Sequence, residues 1–270
     1  MAFDNYQAKK FTSSKTIMVN DNLTVEQPLQ ICINNEPFTV TMRTPNNDKQ
    51  LITGLLYSED IYRNTQQQLL ISLSEEDNMT VANVTIDQKL LGKGYLNSRN
   101  FLSVSSCGIC GKKELNELVQ HHARLNEEVG QDKIPNYTIS RTTLTSMFEQ
   151  MKKGQHTFLQ SGGSHAAAAF NNKGELLSIM EDIGRHNAVD KVIGDLIINN
   201  SLEQASCIVV SGRISYEIVI KAFAAKIGIL AAVSAPSTLA VDFAKELGIT
   251  LLGFCRDDNA TCYSHTERIG

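Results

Sequence analysis

The second half of this 270-residue chain alternates between short apolar runs and amphipathic helical stripes, and that alternation restricts the fold more than any other feature. Glu175–Met180, Cys207–Val210, Ile229–Val233 and Thr250–Phe254 read as strands. Between them, Asn187–Ile198 sets Val189, Val192, Ile193 and Leu196 at helical spacing, and Ser215–Ile227 does the same with Tyr216, Val219, Ile220, Phe223 and Ile227. Thr238–Leu247 supplies a third helix. Strand–helix repeats with short links specify βαβ units and a largely parallel sheet covered by helices.

The first half is organised differently. Residues through Ser14 read as a polar, frayed terminus, followed by strand-like runs at Thr16–Val19, Leu29–Ile33 and Phe38–Met42, with Asn34-Asn35 as a turn. Residues 47–58 carry Leu51, Ile52, Leu55 and Leu56 at helical spacing, and strands return at Leu69–Leu73 and Met79–Ile86. Periodicity is lost from Asp87 to Gly111; a helix is expected over Glu114–Leu125, and another after Ser140 with Leu144, Met147, Phe148 and Met151 as its stripe, ending at Gly154. Gly130–Pro135 is the natural boundary, dividing an α+β subdomain (residues 1–134) from an α/β core (residues 135–270). A formal net charge of −4 argues against bulk nucleic-acid binding. With no apolar signal core and no run of membrane-spanning length, the expected location is the cytoplasm, away from any membrane.

Ligands of open α/β sheets bind beyond the carboxyl ends of strands, and this sequence places its unusual residues there. After Met180 comes Glu181-Asp-Ile-Gly-Arg-His186-Asn187, after Val210 comes Ser211-Gly-Arg213-Ile-Ser215, and after Val233 comes Ser234-Ala-Pro-Ser-Thr238. Helix N-termini with Ser, Thr and Arg favour an anion. None of the three is a P-loop or a G-x-G-x-x-G motif, so no nucleotide class follows. A buried structural network is an equally good account of Glu181–Asn187, and Ser215 and Ser237 are also ordinary helix caps. Gly162-Gly163 beside His165 would allow close backbone approach, and Gly253-Phe254-Cys255-Arg256-Asp257-Asp258-Asn259 ends the last strong strand with groups that could stack on a heterocycle or form a solvated loop.

Ser105-Ser-Cys107-Gly-Ile-Cys110-Gly-Lys112 pairs two thiols across flexible glycines and ahead of two lysines. Nearby cations lower a thiol pKa and make the thiolate available; in a reducing compartment such a pair signals chemistry or metal before a structural disulfide. Three readings compete. A thioredoxin-like pair lacks a convincing preceding strand. A zinc site lacks ligands, because Cys32, Cys207, Cys255 and Cys262 are dispersed and only His121 or His122 is at hand. A zinc deaminase is excluded by order, since every histidine follows Cys110. A persulfide carrier is the third reading, and the residues alone do not separate it from the redox pair.

Several segments together resemble one family. Ser105–Lys112, Glu181–Lys191 (EDIGRHNAVDK) and Ser211–Glu217 (SGRISYE) are similar to the formate dehydrogenase accessory sulfurtransferases of the FdhD/NarQ family, as are Pro37–Arg43, Ser234–Ala240 and Gly253–Arg256. The resemblance implies a cytoplasmic, homodimeric sulfur carrier with a cytidine-deaminase-like three-layer C-terminal core. It implies a persulfide on Cys107 with Cys110 as helper, a cysteine desulfurase as donor, and formate dehydrogenase as client. The sulfur acceptor would be the molybdenum of a bis-molybdopterin guanine dinucleotide cofactor, for which GDP is a mimic. Its contacts would come from Phe254, Cys255, Arg256, Asp257, Asp258 and Asn259, with Ser211, Arg213, Ser234 and His186 from the other junctions; no resident metal is implied. Asp257 and Asp258 depart from the basic or glycine-containing loop expected for an anionic ligand. The other implied role is a cofactor-binding chaperone that handles no sulfur.

Overall fold

The computed structural model describes residues 2–76, 79–98 and 137–270, and its centre is a six-stranded mixed sheet. The strands are β7 (His165–Phe170), β8 (Leu176–Asp182), β9 (Cys207–Val210), β10 (Ile229–Ala232), β11 (Thr250–Arg256) and β12 (Asn259–Ser264), in the order β12-β11-β10-β9-β7-β8. Every residue of β9 and β10 is buried, as expected for continuous apolar strands covered on both faces. The expectation of a largely parallel sheet needs correction. β9, β10 and β11 are mutually parallel, but β7 runs antiparallel to both β8 and β9, and β12 antiparallel to β11. The reversal comes from β7, whose run of four alanines has little strand propensity and carries no strand signature in the sequence. Its consequence is geometric: the start of β7 and the ends of β8 to β11 all emerge at one end of the sheet.

Helices cover both faces. On one side lie α5 (Arg185–Ile198), α6 (Tyr216–Ala224) and α7 (Thr238–Glu246), burying Val189, Val192, Ile193, Ile218, Val219 and Phe243 against the strands. On the other lies α3 (Arg141–Gly154), whose Leu144, Met147 and Met151 pack on Ala166, Ala168, Phe170 and Val209. Ser140 caps α3 as its sequence suggests, accepting the Thr143 N–H at 3.0 Å. The result is a three-layer α/β/α core.

The N-terminal part adds a second sheet of β3 (Gln27–Ile33), β4 (Glu36–Arg43), β5 (Leu70–Glu76) and β6 (Met79–Thr85), ordered β4-β3-β6-β5. Asn34 and Asn35 both take positive φ, 53° and 68°, and make the β3–β4 hairpin turn. Helix α1 (Asp48–Ser58) buries Leu51, Ile52 and Leu56 against Leu29, Ile31, Ile33, Ala82 and Val84 of this sheet. Its opposite side meets α5 almost backbone to backbone: a Cβ at Gly54 would stand 1.8 Å from Asp190 O, and one at Gly194 would stand 1.9 Å from Gln50 O. Glycine at this crossing is a matter of space.

Four local expectations change. The first residues are not frayed: β1 (Phe3–Phe11) pairs antiparallel with β2 (Thr16–Thr24), from Phe3 opposite Thr24 to Phe11 opposite Thr16. Nearly all of β1 is exposed, so no buried face leaves a periodic apolar signal. Beyond Asp87, where periodicity fails, Gln88–Leu90 forms a 3-10 turn and α2 (Lys93–Ser98) a short helix. A six-residue helix, α4 (His156–Ser161), and the closing strand β12 are likewise too short or too exposed to show a period. The cysteine pair, the helix expected over Glu114–Leu125 and the Gly130–Pro135 boundary lie outside the described residues.

Candidate functional site at the strand ends

The acidic residues of Glu181–Asn187 are occupied structurally. Glu181 accepts the Thr157 and Phe158 N–H groups at 2.7 and 2.8 Å, and the Ser164 hydroxyl at 2.7 Å, so its carboxylate anchors the first turn of α4. Asp182, wholly buried, pairs with Lys191 Nζ at 2.7 Å and accepts from the N–H groups of Gly184 and Thr44 and from Asn187 Nδ2. Lys191 also donates to Thr44 O at 2.9 Å, and Asn187 to Met42 O at 2.8 Å. This loop is thereby fixed to the end of β4, and the N-terminal sheet to the core.

The next residues turn toward the strand ends. His186 Nε2 lies 2.9 Å from Ser215 Oγ and 3.0 Å from Glu217 Oε2. Burial opposes charge on Glu217, but the His186 hydrogen bond and the charges of His186, Lys221 and Arg185 outweigh it and hold the carboxyl below its ordinary value. Ser215 therefore orients His186 and makes no side-chain cap, whereas Ser237 does cap α7 through Ala240 N. The hydroxyl oxygen of Ser211 accepts the Ala166 N–H at 2.9 Å, which extends the β7–β9 contact. Arg213 is exposed.

The junctions are joined into one ridge. Ile214 N donates to Ala235 O and Ser237 N to Ile214 O, tying the loop after β9 to the loop after β10. Phe254 N then donates to Ser234 O, and Arg256 Nε to Val233 O at 3.0 Å, tying that loop to β11. Phe254 has φ +55° and is 50% exposed, at a break in the β11–β12 register. A bulky residue in the left-handed region is strained, and here the bulge turns an aromatic ring out of the strand end, where it can stack on a planar ligand. Asp257 and Asp258, with φ 49° and 61°, form the two-residue loop between paired Arg256 and Asn259. Their departure from a basic loop follows from the turn, since Asp tolerates positive φ in hairpins of this kind. Asn259 Nδ2 donates to Asp257 O at 2.9 Å and closes the turn.

Cys255 points into the core, where burial pushes its thiol up to about 12; Cys207 and Cys262 are raised for the same reason. The shift makes these thiols poorer sources of thiolate than an ordinary exposed cysteine. Among the described residues no group of three or more His, Cys, Asp or Glu side chains comes together to hold a metal, and no helix is long and apolar enough to cross a membrane. The structure also brings together two residues that the sequence shows only in separate segments. His165 opens β7 beside Gly212, and Arg185 opens α5 beside both. Recognising β7 as a strand would have located His165, but its alanines conceal it.

Fold and site together define a three-layer α/β protein with a polar ridge at its strand ends and an attached N-terminal β/α unit. The chain matches the FdhD/NarQ family over residues 24–270 and belongs to that family. It is 41% identical over 252 residues to the sulfur carrier protein FdhD of Sulfolobus acidocaldarius, covering 92% of this chain and 91% of that one. Against the protein of the same name from Mycobacterium tuberculosis, identity is 39% over 273 residues and 97% of each chain. A solved structure of a candidate formate dehydrogenase accessory protein from Desulfotalea psychrophila superposes with a TM-score of 0.77 over the full length of both chains, at 18% identity. That last likeness is one of fold.

Proposed function

We propose that this chain is a cytoplasmic sulfur carrier that serves formate dehydrogenase, using Cys107 as the persulfide-bearing residue and Cys110 as its helper. The observation that carries the reading is the identity of about 40% to sulfur carrier proteins across nearly the whole of both chains. Burial raises the Cys207, Cys255 and Cys262 thiols, which disfavours those three as nucleophiles. In the loading step the Cys107 thiolate attacks the outer sulfur of a persulfide on a cysteine desulfurase. The donor's S–S bond breaks, its thiolate leaves, and Cys107–S–SH forms without net oxidation. Attack by the Cys110 thiolate on Cys107 Sγ would then release hydrosulfide and leave a Cys107–Cys110 disulfide, so the two electrons come from the pair itself. A cellular thiol reductant restores the dithiol.

The acceptor is the molybdenum of a bis-molybdopterin guanine dinucleotide, carried as substrate at the strand-end ridge. Phe254 offers a stacking face, Arg256 and Asn259 flank it, and Ser234, Arg213 and His186 continue the ridge toward β7. Asp257 and Asp258 can accept from a guanine edge, whereas Cys255 and Ser211 support the backbone beneath. A homodimer, and a division near residue 134 between the sulfur-handling and cofactor-binding parts, complete the reading.

The test is direct. Incubation with a cysteine desulfurase and cysteine, followed by peptide mass mapping, should show one added sulfur atom, about 32 Da, on Cys107. If sulfur never appears on Cys107 or Cys110, the carrier mechanism fails. A Cys107→Ala, Cys110→Ala double variant that still supports formate dehydrogenase activity in cells would favour the chaperone.

A further inference from the structure

We infer that the outer edge of β1 joins two copies of this chain, pairing antiparallel with its own counterpart about a two-fold axis at Gln7. The inference rests on the homodimer proposed above and assigns it a surface and a register.

The β1–β2 ribbon is a sheet of its own, hydrogen-bonded to no third strand among the described residues. Two strands alone are marginally stable in water, and further strands with an apolar face are what stabilise them. The ribbon nevertheless leaves large apolar side chains in solvent: Tyr6 is 56% exposed, Phe11 77%, Met18 63% and Leu23 46%. Its two edges differ. β2 leans on the core, with Thr24 Oγ1 2.6 Å from Ser161 Oγ of α4 and with Ile17, Val19 and Asn22 partly covered. From Asp4 to Phe11 every residue of β1 is exposed, so β1 carries the free edge. An exposed, partly apolar edge is a template for another strand.

The sequence of that edge, Phe3-Asp-Asn-Tyr-Gln-Ala-Lys-Lys-Phe11, is complementary to itself when reversed. With Gln7 on the axis, Asp4 faces Lys10 of the partner subunit, and Phe3 faces Phe11 of the partner subunit. Cross-strand pairs of opposite charge and of aromatic rings stabilise antiparallel sheets, and an isologous contact forms each of them twice. Register is tightly limited. The backbone groups of alternate β1 residues already point to β2, so the free edge can pair only residues of like parity. The neighbouring allowed registers set Asp4 opposite Ala8 or beyond the strand, and lose both kinds of pair. A parallel pairing in register would set Lys9 and Lys10 against their own copies. β2 fails the same comparison, since reversal about Asn20 sets Val19 opposite Asp21 and forms no charge pair.

Within one copy neither charge is engaged. Asp4 lies opposite Leu23 and Lys10 opposite Ile17, and neither makes an ion pair with a described residue. Joined at β1, two ribbons form a four-stranded sheet in the order β2-β1-β1-β2. Tyr6, Ala8, Ile17, Val19 and Leu23 of each copy then share one face.

The experiment follows dimerisation of the full chain by sedimentation over a range of concentrations, with native mass spectrometry to identify which chains associate. Asp4→Lys and Lys10→Asp should each weaken the dimer by roughly ten-fold, because each turns two attractive pairs into repulsive ones. Both side chains are exposed, so the variants should fold, which circular dichroism checks. Mixed one to one, the two variants should form the heterodimer in preference to either homodimer, since both pairs again set opposite charges together. The double variant, with the charges exchanged within one chain, should dimerise as the wild type does. A dimer indifferent to both single changes, or a mixture in statistical proportion, overturns the edge pairing and leaves the homodimer standing. Weakening in the single variants without rescue by the exchange or the mixture overturns it as well, since altered net charge alone would do that. A wild-type chain that stays monomeric at every concentration removes the homodimer and the pairing with it.

Discussion

Lys191 Nζ sits 2.7 Å from Asp182 Oδ2, and neither side chain reaches solvent. The pair holds the site loop against Thr44 at the end of β4. A buried pair adds little over a well-packed apolar substitute, but removing one partner leaves an uncompensated charge. Asp182→Asn should therefore destabilise the protein by about 3–5 kcal/mol. Denaturant unfolding measures this, and a loss below about 1 kcal/mol would mean that the junction tolerates a lone buried ammonium.

The α1–α5 crossing makes a second prediction. Gly54→Ala puts a methyl group 1.8 Å from Asp190 O, where backbone, and no flexible side chain, must give way. Overpacking of this sort costs about 1–3 kcal/mol or more, and Gly194→Ala should do the same against Gln50 O. Because both variants push on one contact, the double variant should lose less than the sum of the singles. Additive losses from urea unfolding would show that the two glycines relieve separate contacts.

Acid sensitivity at the site follows from Glu217. Its carboxyl is held below the ordinary value of 4.5 in the folded state, against burial, mainly by His186. A depressed folded pKa contributes stability above the unfolded value, and that stability is lost as the pH falls through the folded one. The wild type should thus lose more stability than Glu217→Gln between pH 6 and about pH 3. Parallel unfolding curves for the two proteins across that range would show that the His186 contact contributes nothing.

What was readable in the sequence divides by burial. The strands Cys207–Val210 and Thr250–Arg256 and the helix over Arg185–Ile198 bury apolar stripes, and periodicity finds them. The β1–β2 ribbon buries almost nothing, and β7 is built of alanine, so neither leaves a pattern. At the site, the three strand-end junctions were visible as polar sequences between apolar flanks. Which polar residue does which work was not. Glu181 and Asp182 read equally well in sequence as ligand groups or as a buried network, and the fold uses them, with Lys191, as internal ties. His165 looked like an isolated histidine, and only the reversal of β7 brings it to Gly212 and Arg185. Such pairings are set by strand order, which local sequence does not carry.

Phe254 separates stability from function most cleanly. Its backbone holds φ at +55°, a conformation that glycine takes freely and a phenylalanine adopts at a cost of about 1–2 kcal/mol. Half of the side chain is exposed, so its removal forfeits only part of its apolar burial. Phe254→Gly should leave stability unchanged or raise it by about 1 kcal/mol. If the ring is a stacking platform, the same variant should weaken GDP binding by roughly ten-fold or more, since a base–aromatic stack contributes about 1–3 kcal/mol. Unfolding and calorimetry on one pair of proteins decide the matter. A variant that is less stable by several kcal/mol would show that the ring packs structurally, and one that binds GDP unchanged would remove Phe254 from the site.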